Sequence, residues 1–176
     1  GVRLLLGNGV RSIADTGHRL TITLEHGQVE ADMLILAVGV RPETRLARQA
    51  GIAVNEAGSI IVDPHMRTSQ PDIYAVGDAV EVTDLVTGQK AFIPLAGPAN
   101  KQGRIAADNI CGIPSVYTGT QGSAIVKVFD MTVACTGLNE KTAKRLELAY
   151  DKDFTFSPSH ASYYPGSTYM TIKTLF

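Results

Sequence analysis

A short apolar run that ends in a glycine and a carboxylate constrains this chain more than any other feature. Residues 73–76 are Ile-Tyr-Ala-Val, and Gly77 and Asp78 follow them directly. The run predicts a buried strand, and Gly77 lets a ligand approach the backbone because it has no side chain. Open α/β sheets bind ligands beyond the carboxyl ends of their strands, where a carboxylate can accept hydrogen bonds from hydroxyl groups. We therefore expect Asp78 to contact a ligand that carries sugar-like hydroxyls.

The composition argues against several classes of protein. The 176 residues include 16 basic and 17 acidic side chains, so no basic stripe indicates a nucleic-acid partner. The longest apolar runs, such as residues 33–38, are too short to cross a bilayer. The four histidines lack metal-binding spacing, and Cys111 and Cys135 have no basic neighbours that would activate their thiols. We expect two small buried cysteines, no metal site and a cytoplasmic protein without membrane contact.

The first residues favour strands and turns. A strand over residues 3–6 followed by Gly7-Asn8-Gly9 looks like the start of a dinucleotide-binding fingerprint, but Ser12 replaces the third glycine. No helical pattern follows, which argues against the fingerprint. Asn8-Gly9 instead predicts a type I′ hairpin turn, because both central positions of that turn need positive φ. Further strands are expected over residues 10–14 and 20–24.

The next apolar run predicts a strand that leads into a helix. Residues 33–38 are continuously apolar, which is typical of a strand buried on both faces, and Gly39 ends the run. Pro42 stands where a helix would begin, with Glu43 in its first turn. A short helix over residues 44–50 and a strand over residues 60–63 should follow.

A longer helix is predicted between Gly97-Pro98 and Gly112, with Pro114 preventing its continuation. Gly103 inside it costs about 1 kcal/mol relative to alanine, so we expect close packing or a ligand contact there. The unpaired N–H groups at the helix start suit a group with negative charge. Strand edges are expected over residues 79–82 and 90–93.

Residues 117–123 form a polar, glycine-rich connector, which predicts a domain boundary. Beyond it the pattern indicates strands over residues 124–129 and 131–137 and a helix over residues 140–146 capped by Asn139. A strand over residues 150–155 and an apparent strand at the end of the chain complete this part. The start at Gly1 without methionine is typical of an internal piece of a longer chain.

Four segments together resemble one family, the pyridine nucleotide–disulfide oxidoreductases. They are T-x-x-x-x-I-Y-A-x-G-D at residues 68–78, A-x-G-x-x-P at 37–42, P-L-A-G-P-A-N-K-Q-G-R at 94–104 and H-A-x-Y-Y-P-G at 160–166. The last two are similar to the branch of coenzyme A disulfide reductases, water-forming NADH oxidases and persulfide-reducing relatives.

The resemblance implies an α/β fold. The chain would be part of a flavoprotein with two Rossmann-like dinucleotide-binding domains, for FAD and NAD(P)H, followed by the start of an α+β interface domain. Residues 1–42 would end the NAD(P)H-binding domain, residues 43–116 would form the C-terminal part of the FAD-binding domain, and residues 117–176 would begin an incomplete dimerisation domain.

The resemblance also assigns roles to particular residues. The aspartate of the second flavin motif binds the ribityl chain of FAD, the helix start faces the flavin, and the glycine after the earlier strand admits NAD(P)H. A tyrosine of the interface domain reaches the partner's active-site cysteine in a homodimer. The cofactor-binding candidates are thus Gly39, Gly77, Asp78, Leu95, Ala96 and Gly97, and the catalytic candidates are Tyr163 and Tyr164.

The implied function is that of a fragment of an FAD-dependent NAD(P)H oxidoreductase that reduces a small-molecule disulfide or persulfide of coenzyme A type. A water-forming NADH oxidase or an NADH peroxidase is the alternative within the class, with oxygen as one possible substrate. A flavin-binding or dimerisation module without turnover is the alternative from another class. The family's phosphate-binding glycine loop and redox cysteine have no counterpart here, so the fragment alone is expected to be inactive.

Overall fold

The computed structural model describes residues 2–176, which divide into two units. The first unit ends at Val40 and the second begins at Arg41. The described residues contain three helices and nine strands, and the strands pair antiparallel in four small sheets. The domain limits expected at residues 42/43 and 116/117 stay predictions.

The first unit is built on a three-stranded antiparallel sheet. Its strands are β1 (Val10–Asp15), β2 (Leu20–Leu24) and β3 (Gln28–Ala31), paired in that order. The strands expected over residues 10–14 and 20–24 are therefore confirmed. Only Ile22 of the central strand is buried.

Two expectations for the start of this unit are wrong. Residues 3–6 form no strand. Asn8-Gly9 is not a hairpin turn: the positive φ, 63°, belongs to Gly7. The Asn8 side chain instead donates to the His26 carbonyl at 3.0 Å and accepts from the His26 N–H at 2.8 Å. Asn8 thus fixes the turn between β2 and β3 rather than making one of its own.

The apolar run over residues 33–38 is also not a strand, and it is not buried. Met33, Ile35 and Val38 are each more than 70% exposed. A strand needs neighbours for its backbone hydrogen bonds, and none of the described strands pairs with these residues. The pattern is typical of a buried strand, but residues 2–176 do not supply the neighbouring strands that it needs.

The second unit begins with the short helix α1 (Arg45–Gln49), as the sequence predicts. The helix starts later than Pro42, because Thr44 is the N-cap residue. The Thr44 hydroxyl does not cap the helix; it donates to the Gly58 carbonyl at 2.8 Å. Gly51, at φ 72°, follows the end of the helix as expected.

Single bridges replace the strands expected over residues 60–63 and 73–76. Ile60 bridges both Val54 and Val80. Tyr74 bridges Arg67. Ile73 is 41% exposed, so the run before Gly77 is only partly covered within this chain. Two short strands, β4 (Val82–Thr83) and β5 (Lys90–Ala91), overlap the strand edges expected over residues 79–82 and 90–93, although β4 does so only at Val82.

The core of the second unit lies where these bridges meet a long helix, α2 (Ala96–Ile110), which confirms the predicted helix. Pro98, Gln102 and Ala106 face the core at intervals of four residues. The helix ends at Ile110, and Gly112, φ 78°, follows the C-cap residue and donates its N–H to the Asn109 carbonyl. The buried core residues are Met66, Val80, Val82, Ala106 and Tyr117.

The last part of the chain consists of two hairpins and a helix. They are β6 (Ala124–Val128) with β7 (Met131–Cys135), α3 (Glu140–Arg145), and β8 (Lys152–Pro158) with β9 (Tyr169–Leu175). The predicted cap of α3 is present, since the Asn139 side chain accepts from the Thr142 N–H at 2.9 Å.

Both cysteines are exposed, which makes the expectation of buried cysteines wrong. Cys111 is the C-cap of α2, and Cys135 ends β7, a strand whose residues are all exposed. A lone two-stranded hairpin cannot bury both of its faces. Burial therefore could not follow from residue type alone.

Candidate functional site

The Gly77–Asp78 turn lies on the second unit beside helix α2. Gly77 has φ 88°, a value that L side chains rarely adopt, and a Cβ atom added there would meet nothing within 4 Å. Its N–H donates to the Gln102 Oε1 atom at 2.7 Å. Its carbonyl accepts from the Val80 N–H at 3.3 Å. Hydrogen bonds thus fix the backbone of the turn, while the space next to the Gly77 Cα atom is open.

Asp78 is an exposed carboxylate next to Gly77. Its carboxylate makes no hydrogen bond or ion pair within residues 2–176. A carboxylate with free lone pairs can accept several hydrogen bonds from a hydroxylated ligand. The structure therefore leaves the predicted ligand contact available.

The start of α2, about two helical turns before Gln102, offers backbone donors. Leu95 is the N-cap residue in an extended conformation, φ −135° and ψ 146°, and no side chain caps the helix. Ala96 and Gly97 are exposed, and a Cβ atom at Gly97 would meet nothing within 4 Å. Pro98 has no N–H, so the backbone donors at this end belong to the two residues before it.

Gln102 joins these two elements, and the sequence analysis missed it. The residue is 1% exposed and lies on the core face of α2. A buried amide needs partners, and one of them is the Gly77 N–H. A polar residue between Pro98 and Ala106 on one helix face was the available signal, but its partner is 25 residues away.

Tyr117 lies beside Gln102 in the core. The residue is 8% exposed, and its buried hydroxyl makes no hydrogen bond of ordinary geometry within the described residues. Burial raises the pKa of Tyr117, while the nearby Gln102 and Thr120 side chains act to lower it. The phenol therefore stays protonated at neutral pH.

Gly103 has no packing explanation among the described residues. A Cβ atom added there would meet nothing within 4 Å. The close packing that the sequence predicts is therefore not made by residues 2–176. A ligand contact stays a prediction.

Tyr163 and Tyr164 lie on the connection between β8 and β9. Their ring centroids are 4.8 Å apart, and they are 81% and 60% exposed. His160 packs edge-on against Tyr164 at 6.5 Å. The Tyr164 N–H donates to the Ala161 carbonyl at 3.0 Å, which closes the turn. The two phenols thus stand on the surface of the described chain, with hydroxyls available to a partner.

Gly39 belongs to the first unit. Its φ is 84°, and a Cβ atom there would meet nothing within 4 Å. The backbone is therefore open to a close approach at this point, and the predicted contact with NAD(P)H stays a prediction.

A second cluster that the sequence did not reveal surrounds Glu140 at the start of α3. Lys173, Lys152 and Lys144 contact its carboxylate, the latter two at 3.1 Å each, and the Tyr150 hydroxyl donates to it at 2.9 Å. These donors, Lys173 first, hold the pKa of Glu140 well below its usual range. The cluster ties α3 to the β8–β9 hairpin.

Among residues 2–176, no group of three or more histidine, cysteine, aspartate or glutamate side chains could hold a metal ion. No helix in the described part of the chain is long and apolar enough to span a membrane.

Comparison with known proteins decides the family. Residues 1–103 match the family described as "Pyridine nucleotide-disulphide oxidoreductase". The chain belongs to this family. The resemblance stated from the four sequence segments and the fold class are both confirmed.

The relatives act on sulfur compounds or are oxidases. The chain is 36% identical over 154 residues to "NAD(P)H sulfur oxidoreductase (CoA-dependent)" of Pyrococcus abyssi, covering 86% of this chain and 34% of that protein. It is 34% identical over 178 residues to "NADH oxidase" of Methanocaldococcus jannaschii, covering 100% and 39%.

A solved structure shows the same fold. "Reduced Bacillus anthracis CoADR-RHD" superposes with a TM-score of 0.85 and 48% identity, over 96% of this chain and 30% of that one. The chain therefore spans about a third of the length of the curated relatives it matches.

Proposed function

We propose that this chain is part of a longer FAD-dependent NAD(P)H oxidoreductase that reduces a disulfide or persulfide of coenzyme A type. The observation that carries the proposal is the Gly77–Asp78 turn, which Gln102 ties to helix α2 beside an uncapped helix start. Family membership and the names of the relatives support the same reading.

The residues present fit a flavin. Asp78 has free acceptors for the hydroxyls of a ribityl chain, and Gly77 leaves room for that chain to approach. The N–H groups of Ala96 and Gly97, at the positive end of a 15-residue helix, suit the electron-rich edge of the ring system. FAD, when bound, supplies the chemistry that links hydride transfer to sulfur reduction.

Gly39 would serve the nicotinamide nucleotide. Its positive φ and the open space around it allow the backbone to lie close to a flat ring. The residue would contribute contact area and orientation rather than a proton or a charge.

Tyr163 and Tyr164 would serve the sulfur substrate across a homodimer. A phenol can donate a hydrogen bond to a thiolate or to a sulfur leaving group, which stabilises the developing negative charge. The exposure of both rings supports contact with another subunit rather than packing within this chain. A cytoplasmic homodimer is part of the same proposal.

A water-forming NADH oxidase is the second candidate. The name of the Methanocaldococcus relative, "NADH oxidase", favours an oxidase, and the match covers all of this chain. The Tyr-Tyr pair, which resembles the coenzyme A branch, favours sulfur reduction.

The proposal is tested on the full-length protein that contains this chain. Its visible spectrum should show bound flavin, and NAD(P)H consumption should be faster with coenzyme A disulfide or persulfide than with oxygen alone. Faster consumption with oxygen, and none added by the sulfur substrates, would favour the oxidase. A protein that holds flavin without consuming NAD(P)H with any of these substrates would be a binding module.

A further inference from the structure

Gln102 occupies an unusual position between the two halves of the candidate flavin site. The residues around the Gly77 turn are anchored mainly to loops: the Ala75 N–H donates to the Met66 carbonyl at 3.1 Å, and the Ala79 carbonyl accepts from the Ile60 N–H at 2.8 Å. Among the hydrogen bonds of residues 2–176, the Gly77–Gln102 bond is the one that joins residues 75–79 to α2.

The helix gives this bond a fixed geometry. Leu95, the N-cap, and Gln102 are separated by seven residues, which corresponds to two helical turns and about 10 Å along the axis. The two residues therefore lie on the same face of α2. A side chain that is 1% exposed has little freedom, so its Oε1 atom holds the Gly77 N–H at one place along the helix.

We propose that Gln102 is a positioning residue that sets the distance between the Asp78 carboxylate and the backbone donors at the start of α2. The inference rests on the proposed flavin-binding function. A ligand that must contact both groups at once binds well only when their separation matches its own length. Gln102 would thus control flavin affinity without contacting the flavin.

The neighbouring Tyr117 explains why the loss of Gln102 should displace the turn rather than merely weaken one bond. Among residues 2–176 the buried Tyr117 hydroxyl makes no hydrogen bond of ordinary geometry, and loss of the Gln102 acceptor would leave the Gly77 N–H unpaired as well. Unsatisfied buried groups are costly, so the turn is expected to move until its N–H finds water. Asp78 is the next residue and would move with it.

The test uses the full-length protein, stripped of flavin, and three variants. Gln102→Met keeps the length and volume of the side chain but removes the acceptor. Gln102→Glu keeps an oxygen at the same reach, and burial favours its neutral acid, which still accepts from an N–H. Ala106→Gly is the matched control, because it weakens the same helix face one turn further on without a contact to Gly77.

Three measurements are made on each variant: FAD affinity by fluorescence titration, thermal unfolding of the apoprotein, and hydrogen exchange of the Gly77 amide. Gln102→Met should bind FAD about tenfold more weakly and lose protection at Gly77, the effect expected for one buried hydrogen bond. Gln102→Glu should restore both properties. Ala106→Gly should unfold at a lower temperature yet keep near wild-type FAD affinity.

Each other outcome counts against the inference. Equal FAD affinity in Gln102→Met and wild type, or a loss in Ala106→Gly as large as in Gln102→Met, would show that Gln102 acts only through stability. If Gln102→Met fails to fold, Gln102→Asn replaces it, since its amide is one methylene short of Gly77. Protection of the Gly77 amide by Gln102 in a wild-type protein that takes up no FAD would refute the proposed function and confine Gln102 to a structural role.

Discussion

Replacing Asp78 by alanine in the full-length protein should weaken FAD binding while leaving the fold intact. The carboxylate is exposed and has no protein partner among the described residues, so its loss should change the free energy of unfolding by less than about 0.5 kcal/mol. Its hydrogen bonds to a ligand hydroxyl are charge-assisted and contribute roughly 1.5–3 kcal/mol. The dissociation constant for FAD should therefore rise about 10- to 150-fold.

Titration of the apoprotein with FAD, followed by flavin fluorescence, measures the change. Asp78→Asn keeps the shape and one acceptor but removes the charge, so its affinity should lie between those of wild type and alanine variant. Asp130→Ala, at the exposed turn between β6 and β7, is the control for losing a surface carboxylate. If Asp78→Ala retains wild-type affinity, or Asp130→Ala loses as much, then Asp78 does not hold the ligand and the reasoning from the turn is wrong.

Three further predictions concern the rest of the chain. The isolated 176-residue chain should neither hold FAD tightly nor oxidise NADH; stoichiometric flavin absorbance after purification would contradict this. Tyr163→Phe or, as we favour, Tyr164→Phe should slow disulfide or persulfide reduction at unchanged flavin content and dimerisation, because only a hydroxyl is lost. Wild-type rates in both variants would show that the two rings serve only packing. Glu140→Gln should lower the unfolding temperature of the full-length protein at neutral pH. Since folding depresses the pKa of Glu140, that difference should shrink as the pH falls below 4.5, and a constant difference would exclude the charge as its cause.

Local signals in the sequence predicted the helices well. The glycine and proline around α2, and Asn139 before α3, act through bonds within a few residues of themselves. The Asn139 side chain, for example, needs only the Thr142 N–H to begin its helix. Such caps work in any tertiary setting, which is why the bounds of these helices could be read from the sequence.

Strands depend on partners that a pattern does not name. Residues 33–38 have the composition of a buried strand, yet they lie exposed because none of the described strands pairs with them. Asn8 shows the same limit on a smaller scale. Its side chain is used by His26, 18 residues away, and no local turn rule contains that contact.

The sequence indicates some residues of the candidate site and not others, for the same reason. Asp78 could be found because the turn and its carboxylate are adjacent in sequence, and the family pattern covers both. Gln102 and Glu140 could not, because their partners come from other elements. Polar residues that position a site through contacts with other elements have no local sequence motif, and only the fold shows which residues they contact.

The Gly77 turn and the Tyr163–Tyr164 turn are held in place by different contacts, and this difference determines which of them depends on a partner. The Gly77 turn is held by a buried side chain on a 15-residue helix, so the direction of Asp78 is set within this chain. The Tyr163–Tyr164 turn is closed by one backbone bond and ring contacts on an exposed connection, so its direction depends on what covers it. Under the proposed function, changes in dimerisation are expected to alter substrate reduction through the tyrosines, while the proposed ribityl contact of Asp78 is expected to persist as long as α2 is folded.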